Sequence, residues 1–399
     1  MKRALVLSGG GARGAYQIGV WRALRKLKIK IDIVTGTSVG ALNGAFIVQD
    51  DFNKAYNIWR TIDYKNVFPQ NYQKLNHQEP WIKQGYKLLK VGNQEAIGIE
   101  KLVDDSLDLK KFYQSTIDFG ISIAQLPTLK PLYLTKKEIP SSKIKDYLVS
   151  SATVFPVFQP KKVDNKSLID GAYYDNLPIN LAIEMGADEI IAVDLGSIGR
   201  ILKVKDKKIK VIMIKPSNKL DFFLDFDQEP IKRAMALGYN DTMKKFKKLD
   251  GTLYTFKYLH LQKNYQTNVK NYQNILKNDI KFKTKLLNQK IQDLIEQKVT
   301  EKEFNKIVEH TAQLLKIDTE PVYRINYFNF LLRKTLKKAR RNWFSSLTLN
   351  NDLQKLIEIY DLLDQPAKNN SQLTKYMLTK PKILLSAIYL KTIEKGNLF

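Results

Sequence analysis

The apolar positions of this chain fall first into a short continuous run, Ala4 to Leu7, and then into a spaced set, Ile18, Trp21, Leu24 and Leu27. A brief apolar run closed by glycines predicts a buried strand, and three-residue steps predict one face of a helix. A second run, Ile31, Ile33 and Val34, stops at Gly36, and the small residues from Val39 to Ala45 start another helical stretch. This β-α-β-α opening predicts a parallel sheet with helices on its faces. The pattern continues with strands over 117–123 and 131–135, a short helix over 146–152 and a strand at Leu168–Ile169. A helix over 179–185 stopped by Gly186, strands over 190–193 and 210–214, and a helix over 230–249 carrying Ala234, Leu237, Met243 and Phe246 complete the set.

From about residue 256 the pattern changes to mostly helical, with few glycines. Helices are expected over 275–298, 301–315 and 353–363, with Ile291, Leu294, Ile295 and Val299 forming a one-sided apolar stripe. The expected organisation is therefore a catalytic domain over 1–255 and a helical accessory region over 256–399. Residues 66–97 are the least patterned part of the first half. Pro69, Pro80, Gly85 and Gly92 interrupt them and Tyr72, Trp81 and Tyr86 add aromatics, as in a lid over an apolar site or a structural insertion.

Charge changes this picture in the second half. Lys and Arg number 66 against 40 Asp and Glu, giving +26 over 399 residues. Residues 1–199 carry +6 of this and residues 200–399 carry +20. That asymmetry points to an anionic partner or surface for the C-terminal half, or to a face of solvated lysines. In the stretch from Tyr327 to Phe344, aromatics flank six basic residues, Arg333, Lys334, Lys337, Lys338, Arg340 and Arg341. This composition suits an anionic bilayer surface, and equally a core helix with one basic face. No nucleic-acid-binding motif accompanies it, so no nucleic acid partner is expected.

The absence of cysteine excludes disulfides, thiolate catalysis and Cys-ligated zinc. His77, His260 and His310 are far apart in sequence, so no histidine-rich metal site is expected. The N-terminus begins like a signal peptide, but its apolar run is only four residues and reads as the first strand. With no run of eighteen apolar residues, the expectation is a cytoplasmic protein that meets a membrane only from its surface.

Three short segments carry chemistry. Gly36-Thr37-Ser38-Val39-Gly40 lies between the second strand and its helix, the place and pattern of a nucleophile elbow. Neighbours without side chains let such a turn close, and the helix N-terminus favours developing negative charge. A turn capped by an ordinary serine fits the same pattern. Gly9, Gly11 and Gly14 follow the first strand and suit either a dinucleotide loop or an oxyanion hole of exposed N–H groups. The dinucleotide loop also needs an acidic residue ending the second strand, whereas Asp32 opens it. Finally, Asp170-Gly171 ends a strand at a sharp turn, and on its own is a common turn dipeptide.

Together these segments resemble the patatin-like phospholipases, serine lipid acyl hydrolases. The resemblance runs through Gly9-Gly10-Gly11-Ala12-Arg13-Gly14, Gly36 to Gly40 and Asp170-Gly171-Ala172, in that order. Ser150-Ser151-Ala152 with Pro156 to Pro160, Asp175 to Pro178, and Gly186-Ala187-Asp188 through Asp194 add similar wording, so that residues 3–255 are covered. The resemblance implies a three-layer α/β/α fold with a mostly parallel sheet, followed here by the helical region. It also implies a Ser–Asp dyad without histidine, with Ser38 as nucleophile and Asp170 as base. Gly10, Gly11, Ala12 and Arg13 would form the oxyanion hole, with Gly9, Gly14, Gly36, Gly40 and Gly171 supporting the motifs. An aspartate that acts as base near neutral pH must be at least partly buried. The implied substrates are acyl esters of membrane lipids, without cofactor. A nucleotide-binding protein using Gly9–Gly14 and a non-catalytic lipid-binding protein on the same fold are the alternatives.

Overall fold

The computed structural model describes residues 1–69, 95–280, 299–342 and 351–395. They fall into two compact units, Met1–Lys245 and Phe246–Phe399.

In the first unit the sheet strands are β1 (Arg3–Leu7), β2 (Ile33–Thr37), β3 (Asp118–Leu126), β4 (Lys130–Thr135), β5 (Lys161–Val163), β6 (Lys166–Asp170), β7 (Glu189–Val193) and β8 (Lys210–Ile214). Their order is β5-β6-β3-β2-β1-β7-β8, with β4 also paired to β3. Pairing is parallel from β3 through β2, β1 and β7 to β8. It is antiparallel where β4, β5 and β6 join. The central strands are covered on both faces, which is why they read as unbroken apolar runs and not as alternation. Ala4, Val6, Ile33, Ile190 and Ala192 pack with Ile179 and Ala182 of the helix Ile179–Glu184. Leu5 and Leu7 point to the opposite face, which the helix Val39–Val48 helps to cover. The fold is thus the expected mostly parallel sheet between helical layers.

One register places the site. β4 takes one edge of β3 from Gly120 to Gln125, leaving the other edge to both β2 and β6. Parallel β2 ends with Thr37 opposite Ser122. Antiparallel β6 arrives from the other direction and ends with Asp170 opposite Ile123. The C-terminal ends of two strands therefore meet head-on along β3, and the residues that follow Thr37 and close β6 become neighbours.

The helix expected over 230–249 spans Gln228–Lys245 instead. Lys247 adopts a left-handed conformation, and Leu249–Asp250 pairs as a short strand with Phe256–Lys257 in the second unit. That unit is mostly helical around a core that includes Phe256, Phe304, Phe328 and Tyr389. Its helix Ile325–Asn342 buries Ile325, Phe328, Leu332 and Leu336, one stripe at helical spacing. Tyr327, Phe330, Lys334, Lys337, Lys338, Arg340 and Arg341 are on its outer side, and Arg340 pairs with Asp361 at 2.6 Å. Trp343 and Phe344 lie outside the described residues. So do Ile291, Leu294 and Ile295, and most of the lid or insertion expected over 66–97, with Tyr72, Trp81 and Tyr86.

Candidate active site

Ser38 stands between β2 and the helix Val39–Val48 with φ 57° and ψ −131°, a left-handed conformation that a side chain adopts at a cost. The two glycines of the motif explain how the turn is held. A Cβ on Gly36 would come within 2.5 Å of the Gly40 carbonyl, and a Cβ on Gly40 within 2.3 Å of the Leu7 oxygen. Alanine at position 40 should therefore lower stability by about 3 kcal/mol, because backbone and not a flexible side chain fills the space. A denaturant titration checks this, and a midpoint unchanged from wild type would refute it.

The elbow is tied to its surroundings by residues without a motif of their own. Ser151 Oγ accepts the Ser38 N–H at 2.9 Å and donates to the Ser122 carbonyl at 2.8 Å. Thr37 Oγ1 donates to the Asp175 carbonyl at 2.8 Å. Asn176 accepts the Gly9 N–H through Oδ1 at 2.9 Å. Sequence reasoning assigned these side chains no role, since single serines and asparagines carry no periodic or spacing signal.

Asp170 is 1% exposed. Its Oδ1 accepts the Ala172 N–H at 2.8 Å, while Oδ2 is buried and accepts no hydrogen bond of good geometry. Burial pushes its pKa up to about 7; the nearby Ser38 hydroxyl and the Ala172 N–H favour the ionised form but do not offset burial. A carboxylate poised near neutrality beside a serine on a strained turn can take and return a proton.

The glycine loop is narrower as a donor set than the four residues expected. The Ala12 N–H donates to the Phe223 carbonyl at 2.7 Å and the Arg13 N–H to the Gly10 carbonyl at 3.2 Å. The Arg13 side chain is a clamp: Nε donates to the Asp221 carbonyl at 2.8 Å and Nη1 to the Gly196 carbonyl at 3.1 Å. Among the described residues, that leaves the N–H groups of Gly10 and Gly11 without a protein acceptor. The loop also lacks what a dinucleotide needs. Asp32 is at the far end of β2, where its carboxylate accepts the Arg3 N–H and pairs with Lys30, both at 3.0 Å.

Two cavities meet at Gly11, Ser38, Val154 and Phe223. The first, about 110 Å³, is lined almost entirely by apolar groups, among them Leu42, Phe46, Trp59, Phe68 and Phe226. The second, about 790 Å³, holds Asp170 and Gly10 and is bordered by Phe155, Tyr173, Ile198 and Arg200. His260 and His310 belong to the second unit, where His260 Nδ1 accepts the Ile325 N–H at 3.1 Å and His310 Nδ1 lies 2.9 Å from Ser386 Oγ. His77 lies outside the described residues. Among the described residues no group of His, Cys, Asp or Glu could hold a metal ion, and no helix is long and apolar enough to cross a membrane.

Residues 5–183 match the Patatin-like phospholipase family. The chain is 33% identical to Lysophospholipase nte1 of Aspergillus terreus over 196 residues, 49% of this chain and 12% of that protein. It is 28% identical to Patatin-like phospholipase domain-containing protein 7 of Rattus norvegicus over 214 residues, 49% of this chain and 14% of that protein. The chain thus spans only a small part of these relatives' length. Among solved structures, VipD from Legionella pneumophila aligns over 100% of this chain and 92% of its own, with 14% identity and a TM-score of 0.39.

Proposed function

Because this chain carries a patatin-like phospholipase domain over residues 5–183, we propose that it hydrolyses acyl esters of membrane lipids through Ser38 and Asp170. The observation that carries this reading is the buried Asp170, its pKa near 7, at the strand end that meets Ser38. Ser38 Oγ attacks the ester carbonyl carbon as its proton passes to Asp170 Oδ2. The Gly10 and Gly11 N–H groups receive the negative charge that develops on the carbonyl oxygen. Collapse of the tetrahedral intermediate breaks the ester C–O bond, and Asp170 returns the proton to the departing alcohol. Water then attacks the acyl-serine with Asp170 again taking a proton, releasing fatty acid and free Ser38. The apolar cavity beside Ser38 suits the acyl chain, and the larger one the rest of the lipid.

The experiment that tests this is fatty-acid release from phospholipid vesicles, with fluorophosphonate labelling of Ser38 as a readout that needs no particular lipid. Labelled, active protein supports the reading. Unlabelled, inactive protein that still binds vesicles supports a non-catalytic lipid-binding protein.

The exposed basic face of the helix Ile325–Asn342 supports attachment to anionic membrane surfaces. Reversing Lys337 and Lys338 to glutamate should weaken binding to vesicles containing phosphatidylserine by about tenfold at low salt, with the difference shrinking as salt rises. Co-sedimentation measures it; equal binding at low salt would remove this helix from membrane attachment.

A further inference from the structure

Ile198 is 93% exposed, although it belongs to a folded segment whose two ends are fixed. At one end the Gly196 N–H donates to Asp194 Oδ1 at 2.9 Å, and the Gly196 carbonyl accepts from Arg13 at 3.1 Å. At the other, the Arg200 N–H donates to the Ala172 carbonyl at 3.0 Å and its carbonyl accepts the Asn176 N–H at 2.6 Å. Gly199 is pressed so closely on Asn176 that a Cβ would come within 2.8 Å of it. The loop is therefore held in place with an isoleucine presented to water, an arrangement with no benefit to folding.

Its surroundings indicate what covers it. Ile198 borders the cavity that holds Ser38 and Asp170, together with Phe155 and Tyr173, each 40% exposed. Tyr173 donates its hydroxyl to the Phe155 carbonyl, so the two aromatics form one fixed side of the rim. Arg200, at the foot of the loop, is exposed with its guanidinium 5.1 Å from the centre of the Tyr174 ring. An aliphatic tip, amphipathic aromatics and a cation just behind them match the successive layers of a phospholipid surface: acyl chains, interface and phosphates. A folded protein partner would present no such order of layers.

We propose that the loop Gly196–Arg200 docks the mouth of the site onto the bilayer, with Ile198 inserted among the acyl chains and Arg200 at the phosphate level. This rests on the reading of the site as a lipid hydrolase, and it explains how an ester leaves the bilayer for Ser38 without crossing water. Because insertion is hydrophobic, it operates on zwitterionic phosphatidylcholine, which carries no net charge, and at high salt, unlike attachment through a basic helix.

The test uses the full chain carrying Ser38→Ala, so that the vesicles stay intact, and phosphatidylcholine vesicles in about 0.5 M salt, where surface charge is largely screened. Adding Ile198→Asp should lower partitioning by roughly tenfold to a hundredfold, as expected from withdrawing one aliphatic side chain from the interface. Ile198→Trp should retain partitioning and give blue-shifted emission on binding. Leu129→Asp, which changes an exposed leucine on the β3–β4 hairpin, should have no effect. With Ser38 restored, Ile198→Asp should slow release from vesicles by at least about tenfold more than it slows hydrolysis of a dissolved short-chain ester. Equal partitioning with and without Ile198→Asp, no partitioning in either case, or an equal loss on vesicles and dissolved ester would overturn the proposal. If the Ser38 protein partitions through Ile198 but hydrolyses neither substrate, docking stands and the hydrolase reading falls.

Discussion

Alanine at position 38 should reduce fatty-acid release from phospholipid vesicles to below about a thousandth of the wild-type rate, with the fold unchanged. The turn's left-handed strain is a property of the backbone and of any Cβ, and alanine keeps both. The Ser38 N–H keeps its bond to Ser151, and Thr37 keeps its bond to the Asp175 carbonyl, so the elbow retains its anchors. What disappears is the attacking oxygen and one group that favours the ionised form of Asp170. Stability should therefore move by no more than about 1 kcal/mol, within the usual range for removing a single hydroxyl. A fluorophosphonate should add its mass to the wild-type chain and not to the variant. Activity surviving Ser38→Ala would remove the nucleophile from the mechanism, whereas loss of both activity and thermal stability would show that the hydroxyl holds the turn itself.

How far the site could be read from sequence depends on how local each part is. The elbow, the glycine loop and the Asp-Gly turn were legible because each is a continuous segment whose residue types answer a local demand. The strand runs Ala4–Leu7 and Ile190–Val193 were legible because burial on both faces leaves no polar positions to confuse the pattern. The meeting of Ser38 with Asp170 was not legible by these means. It depends on β3 sharing one edge between parallel β2 and antiparallel β6, and neither register nor direction is written in a short apolar run. The free N–H donors of the glycine loop were legible only as a group, since Phe223 removes Ala12 from a distance of more than two hundred residues in sequence. The apolar cavity escaped notice for a related reason. Phe46, Trp59 and Leu148 come from three helices, and each looks like an ordinary buried position until the helices converge.

Asparagine at position 170 should all but abolish hydrolysis while making the protein more stable, increasingly so as pH rises. The buried carboxyl has a folded-state pKa of about 7 against an ordinary value of 3.8. Below pH 3.8 it is protonated in both folded and unfolded chains and contributes no pH dependence. Between 3.8 and 7 the folded chain holds the proton more firmly, so stability falls as pH increases through this window. Above pH 7 the full penalty for a buried charge, on the order of 4 kcal/mol, is in place. Asparagine keeps an oxygen for the Ala172 N–H and carries no charge, so its advantage over aspartate should be small near pH 4 and largest near pH 8. Asp225, whose pKa is also raised by burial, to about 6, contributes its own slope; that slope is common to both proteins and cancels in their difference. Catalysis runs the opposite way. In the proposed mechanism the ionised form is the base, so hydrolysis of a dissolved ester by the wild type should rise about tenfold per pH unit below pH 7 and level off above it. Thermal melts of both proteins across pH 4 to 8, beside the wild-type rate profile, test the two slopes together. A stability difference that does not change with pH would mean that Asp170 is not charged against the cost of burial, and its assignment as the base would go with it.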